Sequence, residues 1–151
     1  MADVVDAATR SRMMSGIRGK NTQPELLVRT GLHALGFRYR LHPRDIPGKP
    51  DLWLPKHRAA VFVHGCFWHG HDCSLFNLPG TRQDFWQQKI DTNRARDAKV
   101  DGLLGERGLR RLEIWECAFR GPGRIGLDET LTRAAEWLRG EEGRGEIRGT
   151  I

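Results

Sequence analysis

Three cysteines in 151 residues, Cys66, Cys73 and Cys117, are too few and odd in number for a disulfide framework, which points to a reducing compartment. No segment joins a charged start to an apolar core of roughly 7–15 residues and a small-residue cleavage site, and none approaches about 18 consecutive apolar residues. Neither secretion nor membrane insertion is expected, and the cytoplasm is the expected location. Internal repeats and low-complexity tracts are absent. No pair of cysteines has C-x-x-C spacing, so a sequence-local zinc finger is excluded. Acidic residues are outnumbered, 19 against 25, and the net charge of +6 favours a polyanionic partner, although a soluble basic protein would carry the same excess. Twenty of the 25 basic residues are arginine, whose planar fork suits phosphates and guanine edges; a GC-rich genome would give the same bias.

What is present reads as one domain, long enough to bury about two-thirds of its unfolded surface. Residues 2–21 are polar and basic, with Met13, Met14 and Ile17 on one side of a short helix; they read as an arm or docking segment, or as a solvated tail. Thr22, Pro24 and Glu25 then form a helix start, with Thr22 as N-cap and Glu25 in the capping-box position, and Leu27, Val28, Leu32 and Leu35 supply a buried stripe ending at Gly36. Residues 37–41, 50–54 and 59–63 read as strands joined by short turns, which favours adjacent antiparallel pairing. A helix is predicted from Thr81 or Arg82 to Glu106, with Trp86, Ile90, Asn93, Asp97, Val100 and Leu104 facing inward. Residues 109–116 form a further strand, and a last helix runs from Asp128 or Glu129 to Arg139. Residues 140–151 lack apolar content and are expected to be frayed or disordered.

The chemistry concentrates in residues 59–73, AAVFVHGCFWHGHDC, where an apolar strand stops at His64 and a loop rich in His, Cys and Gly follows. His71 and Cys73 from this loop, Asp97 from the inward helical face and Cys117 at a strand end make four groups suited to zinc. Four protein ligands leave no open position, so such a zinc would be structural; two buried cysteines and a surface histidine are the plain alternative. Asp51, His64, His69 and Glu25 remain near the same strand ends. One carboxylate at Asp51, the main-chain carbonyl of Val63 and several waters would suit Mg²⁺, with imidazoles to move protons, and phosphodiester cleavage fits these parts. Taken alone, Glu25 is sufficiently explained as a helix cap and Asp51 as a turn residue.

Pro50-Asp51 before a strand pair resembles the PD-(D/E)xK nuclease core. The larger set GKPD at 48–51, FVHGCFWHGHDC at 62–73, Thr81-Arg82, Phe85-Trp86 and Trp115-Glu116-Cys117 resembles the very-short-patch repair endonuclease family, over about residues 2–121. The resemblance implies a restriction-endonuclease-like α/β fold: a single domain with a central mixed sheet flanked by helices and a structural zinc site. It implies an enzyme that nicks double-stranded DNA 5′ to the thymine of a T·G mismatch arising from 5-methylcytosine deamination, leaving a 3′-hydroxyl and a 5′-phosphate. Asp51 then matches a Mg²⁺ ligand, with Glu25, His64 and His69 around the metal waters and His69 as general base. His71, Cys73, Asp97 and Cys117 match zinc ligands, and Phe67, Trp68 and Trp86 match an aromatic wedge beside the mismatch. Implied partners are mismatch-repair proteins, a repair polymerase and a ligase, with the enzyme acting as a monomer. The nuclease D/E-x-K lysine is missing, since Val63-His64-Gly65 stands there, so histidine must substitute.

These readings predict one endonuclease domain over residues 1–140, with residues 1–21 as its arm and 141–151 as a disordered tail. Two rivals remain: a restriction-type or junction-resolving nuclease, and a zinc-stabilised DNA-binding module without catalysis, which would leave Asp51, His64 and His69 idle.

Overall fold

Alternation along one strand, Ala59–His64, decides the architecture. In the computed structural model, which describes residues 22–150, this strand is the centre of a five-stranded sheet of order β1-β2-β3-β4-β5. The expected N-terminal arm, residues 1–21, lies outside the described residues. The strands are β1 (Arg40–Leu41), β2 (Leu52–Leu54), β3 (Ala59–His64), β4 (Arg110–Trp115) and β5 (Arg144–Ile147), and the helices are α1 (Gln23–Ala34), α2 (Gln83–Glu106) and α3 (Leu127–Arg139). Strands β1 to β3 pair antiparallel, β1 to β2 through the longer segment 42–51 and β2 to β3 through the short turn 55–58, whereas β3 to β4 and β4 to β5 are parallel pairs bridged by α2 and α3. The result is a single mixed α/β sheet with helices on both faces, as the central strand's unbroken burial requires.

Strands β2 and β3 split their residues between two different interiors. Ala59 and Val61 of β3, with Leu112 and Ile114 of β4, pack against Val28 and Leu32 of α1 and Ala134, Ala135 and Leu138 of α3. Ala60 and Phe62 face the other way, onto Val100 and Leu104 of α2. The period of two therefore delivers His64 and, from β4, Arg111, Glu113 and Trp115 to the α2 side. One face of the sheet is an apolar core, and the other carries the chemistry.

Helix α1 starts as its sequence demands, with the Thr22 hydroxyl accepting the Glu25 N–H at 3.3 Å. Leu35, expected in the buried stripe, is instead the C-cap and lies exposed, because the helix ends one residue before it. The tail also differs from expectation: residues 144–147 are β5, paired in register with Arg111–Ile114. Backbone hydrogen bonding to a central strand does not require apolar side chains, and Ile147 alone anchors β5 in the core at 5% exposure. Among the described residues no helix is long and apolar enough to cross a membrane.

Truncating that anchor tests the strand. Ile147→Ala should destabilise the fold by about 2 kcal/mol or more, as buried Ile-to-Ala changes do, read from urea unfolding midpoints. An unchanged midpoint would mean that residues 144–147 contribute nothing to the sheet.

Candidate active site and metal centre

Strands β3 and β4 end together, His64 opposite Trp115. After His64 the backbone turns sharply: the His71 N–H donates to the Cys66 carbonyl at 2.9 Å and the Gly70 N–H to the Phe67 carbonyl at 3.1 Å. Gly70 has φ +59, and a Cβ there would meet Ile90 of α2 at 2.7 Å, so the turn needs glycine twice over. This turn brings Cys66 and His71 together, and Cys117, just beyond β4, stands beside them with its Sγ 3.6 Å from His71 Nδ1.

Cys66, His71, Cys73 and Cys117 have ligand atoms all within 4.8 Å of one another. Sulfur and nitrogen ligands about 2.0–2.3 Å from a tetrahedral ion must lie nearly that close, so the set fits a closed S₃N metal site. Burial raises the Cys66 and Cys117 thiols above their ordinary range, and nearby thiols add to it, so ionised sulfurs here would need a cation beside them. His71 stacks flat on Trp115, centroids 3.8 Å apart at 7°, and the Gly149 N–H donates to Cys117 Sγ at 3.3 Å. A Cβ at Gly149 would strike the Cys117 carbonyl at 2.2 Å, so the backbone itself closes this side of the cluster.

Asp97, predicted as the fourth zinc ligand, does not join this cluster, and Cys66 takes that place. The inward face of α2 presents Asp97 to His69, whose Nδ1 lies 2.5 Å from Asp97 Oδ2, and groups it with His64 and His69. Helical periodicity correctly turns Asp97 inward, but α2 passes the strand-end histidines before it could reach the thiols. Cys66 was legible from the spacing Cys66-x₄-His71-x-Cys73, a compact turn with ligands at both ends.

The other predicted residues converge on one cleft of about 1100 Å³ whose lining includes Asp51, Val63, His64, His69 and Asp97, with Lys49, Lys89 and Arg96 among its basic groups. Asp51 stands just before β2 and accepts the Val63 N–H at 2.6 Å, beyond the last β2–β3 pair. Burial pushes its carboxyl up to about 8 despite that N–H, and the adjacent Glu25 carboxylate raises it further. Glu25 is buried, ion-paired to Arg29 at 2.8 Å, and 3.1 Å from His42 Nε2. His42 was not foreseen: it sits at φ 47, a strained conformation for a non-glycine residue, and its Nε2 is 3.7 Å from Asp51. Glu25, His42 and Asp51 thus form a further group able to hold a cation.

His64 and His69 rings are 4.1 Å apart. Burial pulls His64 below its ordinary range, against the opposing effect of Glu113. Beside them Phe67, Trp68 and Trp86 pack on one another with centroids 5.2, 5.5 and 5.7 Å apart, all half-buried, and Asn93 Nδ2 holds the Trp68 carbonyl at 2.8 Å. Trp86, expected in the helix's buried stripe, therefore belongs to this aromatic lip.

Comparison with known proteins agrees with this geometry. The family model described as DNA mismatch endonuclease Vsr matches residues 2–75. The DNA mismatch endonuclease Vsr of Escherichia coli is 43% identical over 148 residues, covering 97% of this chain and 94% of its own length. The type II nicking enzyme V.XorIIP of Xanthomonas oryzae pv. oryzae is 44% identical over 125 residues, 83% of this chain and 92% of its own. A third relative, the type II nicking enzyme V.NmeAIP of Neisseria meningitidis, is 42% identical over 120 residues, 80% and 86% respectively.

The Asp51 environment gives a pH signature. With a folded-state value near 8 against an ordinary 3.8, the native state keeps a proton that the unfolded chain releases, so this group's contribution is full at low pH and is lost as pH rises towards 8. In metal-free buffer Asp51→Asn should therefore gain melting temperature relative to the parent as pH rises between those values. A difference that does not change with pH would contradict the burial argument.

Proposed function

Since this chain belongs to the Vsr family of DNA mismatch endonucleases, we propose that it nicks one strand of duplex DNA 5′ to the thymine of a T·G pair left by 5-methylcytosine deamination. The observation that carries this reading is the half-buried carboxyl of Asp51, 2.6 Å from the Val63 amide at the open end of β3, facing two imidazoles across a cleft with basic groups in its wall.

Asp51 and the Val63 carbonyl would hold Mg²⁺, an ion that prefers oxygen ligands and keeps most of its water. An ion held there would supply Lewis acidity towards a scissile phosphate and its attacking water. An ionised Asp97 can only accept, so His69 carries its proton on Nδ1 and presents a free Nε2 lone pair. Nε2 takes the proton of the attacking water as the new P–O bond forms, and the departing 3′ oxygen takes a proton from solvent water, giving a 3′-hydroxyl and a 5′-phosphate. His64 holds a second proton-exchanging site beside it, and Glu25 orders water around Asp51.

Phe67, Trp68 and Trp86 act as the wedge. Opening a base step costs a few kcal/mol and less at a mismatch, so an aromatic lip prefers T·G sites. Cys66, His71, Cys73 and Cys117 hold structural Zn²⁺, since four protein ligands leave no position for substrate. In this reading residues 1–140 with strand β5 are one endonuclease domain with residues 1–21 as its arm. It acts as a cytoplasmic monomer ahead of repair polymerase and ligase, with mismatch-repair proteins as partners. A binding module without catalysis gives no account of a half-buried acid beside a His–Asp pair.

End-labelled duplexes with and without one T·G pair, incubated with Mg²⁺, test it. A single nick on the T strand is expected only in the mismatched duplex. Asp51→Ala should lose several orders of magnitude of single-turnover rate while still binding, because the basic groups that meet phosphates and the aromatic wedge are untouched. His69→Ala should lose about 10²–10⁴-fold. Cleavage of both strands of matched DNA would return the restriction-type rival, and an undiminished Asp51→Ala would remove the metal site.

A further inference from the structure

Glu113 is out of place by the logic of its strand. In β4 it lies between buried Leu112 and Ile114, its side chain only 12% exposed, on the face where Phe62 and His64 stand. An apolar side chain would pack there without the cost of desolvating a charge. Arg111 and Arg144 do not explain it fully: their guanidinium nitrogens are 3.6 and 3.8 Å away, and both make closer contacts with Asp101, at 2.9 and 3.0 Å. The nearest of these charged neighbours is His64, with Nε2 3.3 Å from Glu113 Oε2. That nitrogen is fully buried and has no aligned hydrogen-bond acceptor, so Glu113 is poised at bonding distance without the bond being made. Such contacts in free enzymes often tighten only when substrate binds.

The ring has little freedom to find another partner. His64 is enclosed by Phe62, Trp115 and His69, with centroids 5.9, 4.8 and 4.1 Å away. A carboxylate at Nε2 therefore fixes both which way the imidazole faces and which nitrogen carries the proton. We propose that Glu113 is the positioning residue for His64: it accepts the Nε2–H and leaves Nδ1 as the lone pair used in catalysis. The active site then contains two matched pairs, His69 with Asp97 from α2 and His64 with Glu113 from β4. The inference rests on His64 taking part in strand cleavage as proposed above.

The test is a double-mutant cycle on nicking, with duplex affinity and His64 ring ¹⁵N shifts measured on each variant. Glu113→Leu should slow single-turnover nicking of the T·G duplex by about 10–100-fold, the usual cost of losing a histidine's orienting partner, with duplex affinity unchanged. Glu113→Gln, whose amide oxygen still accepts Nε2–H, should recover part of the loss, and it serves in place of Leu if that variant does not fold. The ring shifts should move from one tautomer to a mixture in Glu113→Leu, and adding Glu113→Leu to His64→Ala should slow nicking no further. Losses that multiply in the double variant, an unchanged tautomer, or a parent-like rate for Glu113→Leu would each overturn the proposal. A parent-like rate for His64→Ala would instead remove the role of His64 itself, and the positioning role with it.

Discussion

Everything functional here depends on a loop that leaves β3 at His64 and is brought back to the end of β4. The loop's large apolar side chains, Phe67, Trp68, Leu75, Phe76 and Leu78, are all only half-buried, so the hydrophobic effect alone holds it weakly against its conformational entropy. Polar ties add to this, among them the Asn93 side chain on the Trp68 carbonyl and Arg148 on Asp72. The thiol cluster ties Cys66, His71 and Cys73 to Cys117 beyond β4, and the His69–Asp97 pair ties the loop to α2. Between these ties the loop carries Phe67, Trp68 and His69, all half-buried, and the ties fix their placement relative to one another.

The sheet explains why these ties suffice. Strict alternation sends one set of β3 and β4 side chains into the apolar core and the other towards α2, so strand geometry alone aligns His64, Glu113 and Trp115. Asp51 is placed by the same sheet, through an amide that the β2–β3 ladder leaves free. The site's precision comes from backbone hydrogen bonding, and its cost is several buried charges grouped where a cation and a phosphate are expected. Even the C-terminal segment serves it, since the strand it adds leads Gly149 to Cys117 and Arg148 to Asp72 of the loop, at 2.7 Å.

Much of this was legible in the sequence because its determinants are local. An apolar run ending at His64 marks β3, Leu112, Ile114 and Trp115 mark β4, the Thr22 cap marks α1, and Asp51, His64 and His69 stand out as polar residues near strand ends. What was misread depended on distance in three dimensions. Periodicity assigns Asp97 a face but not a neighbour, so the exchange of Asp97 for Cys66 in the thiol cluster follows from where α2 crosses the loop. Residues 144–147 have almost no apolar signal because their pairing is made by the backbone. His42 reaches Glu25 only through a left-handed turn that composition does not reveal.

The central claim is that metal at the thiol cluster holds the loop in its working position. Hydrogen exchange of the purified protein before and after removal of the bound metal by a chelator measures this directly. The account predicts that amides in residues 65–79 lose protection on metal removal while those of β3 and β4 keep theirs. Unchanged protection of residues 65–79 in the metal-free protein would contradict it, because the loop would then be held by something other than the cluster.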